Sequence, residues 1–434
     1  MKKSPKLSIT AAISALALSA CTTIAPETDD RAQAGVTETK GAPYSAADEA
    51  RYLERFNALL EASRTGQGLS AYDILEPVAG GTADPLELAD SKDIDQATLD
   101  AARAYAADRN SSAYIVWHDG ALQDEAYFGE YDKDAMIVSK SMAKPVTALL
   151  IGRALKLGYI KSLDQPAADY LTEWKDDPQR SKILIRHLLD MRSGMLPQGF
   201  SLEPDDILNR AYLHPRHDEV IIHEYPMTHE PGTRYEYSNA TSEMIAPIIE
   251  RATGMRYSQF LSDSLLKPIG AAGGTVWVNR EGGMAHSGCC LMLPARSWLK
   301  LAVLLVQDGE WDGEQLLPDG YVDEMRMPTE QNPYYGMGVW LAGEKYIEKR
   351  GFQHPDKPMG KVLHSEPYAA KDLFLFDGNS NQVVYMIPSQ RLVILRTGAN
   401  PPKDKAWDNS LLPNMLIRGM KRADGEPLPE PQAR

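Results

Sequence analysis

The chain has 434 residues, 43% hydrophobic and 24% charged, which is enough apolar length for a sizeable core. Lysine and arginine total 46 against 60 acidic residues, a formal charge of −14. Acidic side chains are spread along the sequence, so nucleic acid is not an expected partner, because phosphate binding needs a concentrated basic surface.

Lys2, Lys3 and Lys6 precede the apolar run "ITAAISALALSA". That run is too short to span a bilayer comfortably and reads as a secretory signal over residues 1–20. It ends in "LSAC", and Leu18, Ser19 and Ala20 before Cys21 resemble the bacterial lipobox. The resemblance implies lipidation at Cys21, membrane contact through that anchor alone, and a periplasm-facing lipoprotein of a bacterial envelope. Thr22 in place of Asp after the cysteine resembles outer-membrane sorting. Residues 21–45 are then a polar tether and 46–434 the folded domain.

Helices are expected in "SAADEARYLERFNALLEA" and in "DIDQATLDAARAYAADR", the latter with an Asp cap. Two half-apolar runs flank Asp119-Gly120, a hairpin signal. From Pro145 to about Pro328 helix patterns dominate, and strand character returns in "YGMGVWLAG" and "NQVVYMIPSQRLVILRTG". The expectation is an α+β fold: an antiparallel sheet flanked by helices, with a mostly helical second lobe. The sheet lobe takes about 110–145 and 334–400, the helical lobe about 145–328, and a cleft lies between them. Cys289 and Cys290 read as small buried residues, since adjacent cysteines rarely bridge each other.

The stretch "SKSMAK", residues 139–144, puts Ser141 three positions before Lys144. On a helix the two share a face, and a serine hydroxyl needs such a base beside it. The pattern is common by chance and recurs at Ser264/Lys267 and Ser297/Lys300, where amphipathic helices are expected to carry both residues on a polar stripe. Ser141 differs in opening a helix. Pro145 fits only a first turn, and "VTALLIGRAL" behind it is apolar on nearly every side. An N-cap serine with a solvated lysine is the alternative reading of that segment.

"IVSKSMAKPVTALLIG" resembles the nucleophile segment of the serine β-lactamase and penicillin-binding-protein superfamily, most closely its class C-like branch of esterases, D-amino-acid peptidases and 6-aminohexanoate-oligomer hydrolases. "EPGTRYEYSNATSEMIAPIIERATG" resembles its Tyr-x-Asn segment, and the similarity runs from about Ser112 to about Asn400. The resemblance implies a β-lactamase/transpeptidase-like fold in which Tyr237 shares the proton of Ser141 with Lys144, and Asn239 orients Lys144 or the substrate. It places the third motif on Arg396-Thr397-Gly398, where the family has Lys or His first; arginine keeps a positive charge for a substrate carboxylate but cannot transfer a proton. The amides of Ser141 and Ala399 would then match the oxyanion hole.

The implied activity is a serine hydrolase cleaving a small ester or amide through an acyl-enzyme on Ser141. β-Lactamase or D-alanyl peptidase activity is the alternative, and a non-catalytic envelope binding protein on the same fold is the second. The partner is a small-molecule or peptide substrate. No cofactor and no metal are expected: His214, His217, His223 and His229 cluster in sequence, but His223 and His229 lie six apart around Pro226 and cannot align on a helix. No Gly-x-Ser-x-Gly elbow occurs.

Overall fold

The computed structural model describes residues 44–64, 72–82, 86–351 and 361–421. The "LSAC" segment with Cys21 lies outside them. Along the chain come α1 (Ala46–Arg64), β1 (Leu75–Val78), α2 (Gln96–Ala107), β2 (Ser111–His118), β3 (Ala121–Tyr127), β4 (Met136–Val138) and α3 (Ala143–Lys156). Then follow α4 (Ile185–Leu189), α5 (Ile207–Leu213), α6 (His217–His223), α7 (Asn239–Glu243), α8 (Ile245–Thr253) and α9 (Tyr257–Leu261). After β5 (Gly274–Trp277) and β6 (Leu291–Pro294) come α10 (Ala295–Val306), the short pair β7 (Glu310–Trp311) and β8 (Glu314–Gln315), and α11 (Tyr321–Met325). The last described elements are β9 (Trp340–Leu341), β10 (Lys349–Gly351), β11 (Lys361–Leu363), β12 (Phe374–Gly378), β13 (Gln382–Ile387), β14 (Leu392–Gly398) and α12 (Leu411–Arg418).

Local chemistry accounts for several of these boundaries. Asp95 accepts a hydrogen bond from Thr98 N and caps α2. Asp119 and Gly120 both take positive φ, as a tight β2–β3 turn needs. The main sheet is antiparallel in the order β3-β2-β14-β13-β12-β9, so strands from both ends of the chain share it. Alternation along its strands gives each face a core. Ile115, Val393, Leu395 and Phe376 pack with α3, α8 and α10, while Tyr114, Val116, Ile394 and Tyr385 pack with α2 and α12.

A second antiparallel sheet, ordered β1-β5-β6-β4, was not expected, because its inner strands lie inside the segment read as helical. Both are four-residue strands parted by a long loop, too short to display a period of two. The two sheets meet where β4 ends. Gln382 Nε2 of β13 donates to Val138 O at 2.7 Å there.

Candidate active site

Ser141 is placed by a reversal of chain direction at this seam. The amide of Ser139 donates to Leu291 O at 2.8 Å, and its Oγ accepts from Leu291 N at 3.1 Å, which fixes the end of β4 against β6. Lys140 then takes a φ of +49°, uncommon outside glycine, and the chain enters a 3₁₀ turn over Lys140–Met142 that continues as α3. Residues Ala143–Ala154 of α3 are buried throughout, and Pro145 falls in the first turn, where its missing amide hydrogen leaves no gap. Ser141 therefore stands at the amino-terminal tip of a buried helix.

Lys144, one turn further, is 1% exposed. Its Nζ donates to Asn239 Oδ1 at 2.6 Å and to Gly288 O at 2.9 Å, and lies 3.3 Å from Ser141 Oγ. The ring of Tyr237 lies 4.9 Å from the same nitrogen, backed by Trp340 nearly parallel at 6.1 Å and Tyr335 edge-on at 6.2 Å. Asn239 opens α7, and its amide donates to Gln198 Oε1 at 3.1 Å. Ser141, Lys144, Tyr237 and Asn239 are thus brought to one point. An amine shut away from bulk water and held by neutral acceptors is suited to take a proton from a hydroxyl at this range.

Arg396, Thr397, Gly398 and Ala399 lie elsewhere, which corrects the expected third motif. Arg396 is fully buried on the sheet face it shares with Ile394, over the ring of Trp407 at 4.9 Å. Its Nε donates to Ser111 Oγ at 2.8 Å, Nη1 to Ser380 O and Asn381 O at 2.7 and 2.9 Å, and Nη2 to Arg109 O and Ala399 O at 2.6 and 2.9 Å. All five N–H donors are occupied within the fold, leaving none for a substrate carboxylate. Burial lowers the guanidinium to about 10, so it stays charged at neutral pH.

The neighbours of Arg396 are equally committed. Thr397 Oγ1 is 2.9 Å from Ser112 Oγ. Gly398, at φ +149°, lets the strand pass Asn110, where an added Cβ would sit 2.3 Å from Asn110 O. The Ala399 amide donates to Asn110 O at 3.0 Å and is not available to an oxyanion.

The strand that does reach the nucleophile is β12. A Cβ on Gly378 would lie 2.6 Å from Ser139 O, so the strand end can press against the nucleophile turn only as glycine. Asn379 follows and lines the same cleft as Ser141. Sequence reasoning misses "FDGNSN" because Asp377-Gly378 reads as a turn and carries neither lysine nor histidine.

The cleft encloses about 850 Å³ with its mouth and is lined largely by Leu59, Tyr72, Phe200, Leu208, Tyr212 and Tyr225. Among the described residues its one charged lining side chain is Lys140, whose Nζ donates to Tyr72 Oη at 2.8 Å. Cys289 is also on the wall and is joined to Cys290 by a disulfide, which corrects the expectation of two free thiols. Cys290 is left-handed at φ +70°, so the pair escapes the extended geometry in which successive side chains point to opposite faces. Tyr212 Oη contacts both sulfurs, at 3.3 and 3.8 Å.

The other Ser-x-x-Lys pairs are structural. Lys267 is half-exposed and pairs with Asp263 at 2.6 Å. Ser297 and Lys300 are buried, not on a polar stripe as expected; Ser297 Oγ donates to Ala272 O and Lys300 Nζ to Gly270 O, tying down the loop before β5.

Comparison with known proteins places this geometry. The description "Beta-lactamase" matches residues 97–407, well over half of the sequence. The chain belongs to the beta-lactamase family. The 6-aminohexanoate-dimer hydrolase of Paenarthrobacter ureafaciens is 22% identical over 225 residues, covering 50% of this chain and 57% of that protein. The match thus spans little more than half the length of that curated relative. Among solved structures, a putative 6-aminohexanoate-dimer hydrolase from Bacillus anthracis aligns over 81% of this chain and 90% of its own, at 19% identity and a TM-score of 0.59. A putative beta-lactamase from Bacteroides dorei aligns over 75% of this chain and 99% of its own, at 18% identity and a TM-score of 0.58. At such identities these two establish the β-lactamase/transpeptidase-like fold. Leu59 and Tyr72 precede the family match, so part of this family member's cleft wall is built from outside the shared region.

Proposed function

We propose that the chain is a serine hydrolase of small, uncharged esters or amides. The observation that carries this reading is the Lys144 amine, fixed by Asn239 and Gly288 within 3.3 Å of Ser141 Oγ, which lines a largely apolar cleft. Ser141 Oγ attacks the substrate carbonyl as Lys144 takes its proton, and Tyr237 shares the transfer to the leaving group. The amides of Ser141 and Asn379 hold the oxyanion, and water then releases the acyl group with the proton path reversed. Arg396 cannot meet a substrate carboxylate, and the aromatic lining favours an apolar acyl chain over a β-lactam or a D-alanyl peptide.

The reading is tested with short- and medium-chain esters, linear amides, D-alanyl peptides and a chromogenic cephalosporin. Turnover is expected on the apolar esters or amides, and a loss of at least about 10⁴-fold in the Ser141→Ala variant. A cephalosporin turned over faster than every ester and amide would overturn the substrate class.

The envelope location rests on "LSAC" with Cys21, and a disulfide at Cys289–Cys290 fits an oxidising compartment. Cys21→Ser is expected to move the protein from the membrane fraction to the soluble fraction. Unchanged membrane association would refute the anchor.

A further inference from the structure

Three residues behind the Lys144 pocket form a group that the proposed hydrolysis does not use. His217 begins α6, Glu243 ends α7, and His286 lies in the loop between β5 and β6. All three are completely buried. His217 Nε2 is 3.6 Å from Glu243 Oε2, and His286 Nδ1 is 3.8 Å from Glu243 Oε1, both beyond hydrogen-bond range. Among the described residues no hydrogen bond reaches either imidazole or either carboxylate oxygen, so six buried polar atoms are held only by these longer contacts to one another.

Each such atom costs about 1–3 kcal/mol when buried alone, and native proteins carry few of them. The imidazoles of His217 and His286 lie 4.0 Å apart and only 12° from parallel, and Trp277 closes the other face of His286 at 3.8 Å. One nitrogen from each histidine and one carboxylate oxygen fall within 4.8 Å of one another. Two imidazoles and a carboxylate are a donor set suited to a zinc-class divalent cation.

We propose that His217, Glu243 and His286 bind one such ion, most naturally Zn²⁺, which joins α6, α7 and the loop before β6. None of the three lines the substrate cleft, so the ion's part is to hold the fold there. Of the histidines clustered in sequence, His214 lies against Tyr44 at 4.3 Å with the rings tilted by 55°, His229 Nδ1 pairs with Thr228 Oγ1 at 2.9 Å, and only His217 belongs to the group. The ion sits where it can position Lys144. Asn239, four residues before Glu243, and Gly288, two residues after His286, supply the two acceptors that hold the Lys144 amine. A Cβ on Gly288 would already be 3.1 Å from Glu243 Oε1, so the two segments are in direct contact.

The test uses the intact protein, stripped with dipicolinate, dialysed and reloaded with ZnCl₂. After desalting, about one equivalent of zinc is expected by mass spectrometry, with Tm raised by about 5 °C or more, because only the folded state holds the site. Glu243→Gln and His286→Gln are each expected to retain under about 0.1 equivalent and to lose the Tm shift. Absence of stoichiometric zinc in the unaltered protein, or a full equivalent retained by both variants, overturns the proposal. Should the variants fail to fold, X-ray absorption at the zinc edge of the unaltered protein decides. Two imidazoles with an oxygen donor support the site, and sulfur ligation or fewer than two imidazoles refutes it. None of these readouts depends on hydrolysis.

Discussion

Replacing Lys144 by methionine is expected to lower kcat by about 10³-fold or more while KM changes little, with about 1–3 kcal/mol of stability lost because Asn239 Oδ1 and Gly288 O lose their donor. Methionine fills a similar volume, so the buried first turn of α3 keeps its packing. What disappears is the one amine within 3.3 Å of Ser141 Oγ among the described residues. The hydroxyl then has no adjacent base, and what remains is the contribution of the oxyanion donors and of binding. Steady-state kinetics on the best ester, with thermal melts alongside, separate this outcome from general destabilisation. A variant that keeps kcat within threefold of the parent, by order of magnitude, would remove Lys144 from the chemistry.

The second large effect is on stability. Arg396→Met leaves Ser111 Oγ and four backbone carbonyls without their donor in a fully buried setting. A loss of about 3–5 kcal/mol is expected, the usual range for breaking a buried charged network. Arg396→Lys should recover only part of it, since an ammonium has three donors for five acceptors and no planar fork. KM of the folded fraction should not change, because the side chain lies on the sheet face away from the cleft. Urea denaturation measures the first effect and substrate titration the second. A rise in KM with unaltered stability would return Arg396 to the binding site.

These two residues show how far the sequence could be read. Ser141 and Lys144 were legible because helix periodicity alone puts them on one face, and because Pro145 and the apolar run behind it mark a buried helix start. Tyr237 and Asn239 are nearly a hundred residues away, and only their resemblance to a known segment drew them in. The third motif went astray because "RTG" resembles it in letters, whereas the strand edge facing Ser141 is set by register. β14 is interior to the sheet, between β2 and β13, and the end of β12 is what meets the nucleophile turn.

Long-range assembly hid other features. The cleft wall takes Asn209, Ala211, Tyr212 and Leu213 from the short helix α5, whose placement beside Ser141 no local pattern fixes, together with Leu59 and Tyr72 from the amino-terminal part of the chain. His217, Glu243 and His286 are 26 and 43 residues apart in sequence, so no spacing rule could have joined them. The Cys289–Cys290 bond depended on a single left-handed residue.

The central claim is that Ser141 is the nucleophile, and covalent labelling tests it most directly. The protein is treated with an alkyl fluorophosphonate, its intact mass is recorded, and the adduct is mapped by peptide sequencing. The account predicts one adduct per chain, carried by Ser141, slowed strongly in Lys144→Met and absent from Ser141→Ala. Labelling of a different serine, or hydrolysis that survives in Ser141→Ala, would contradict it.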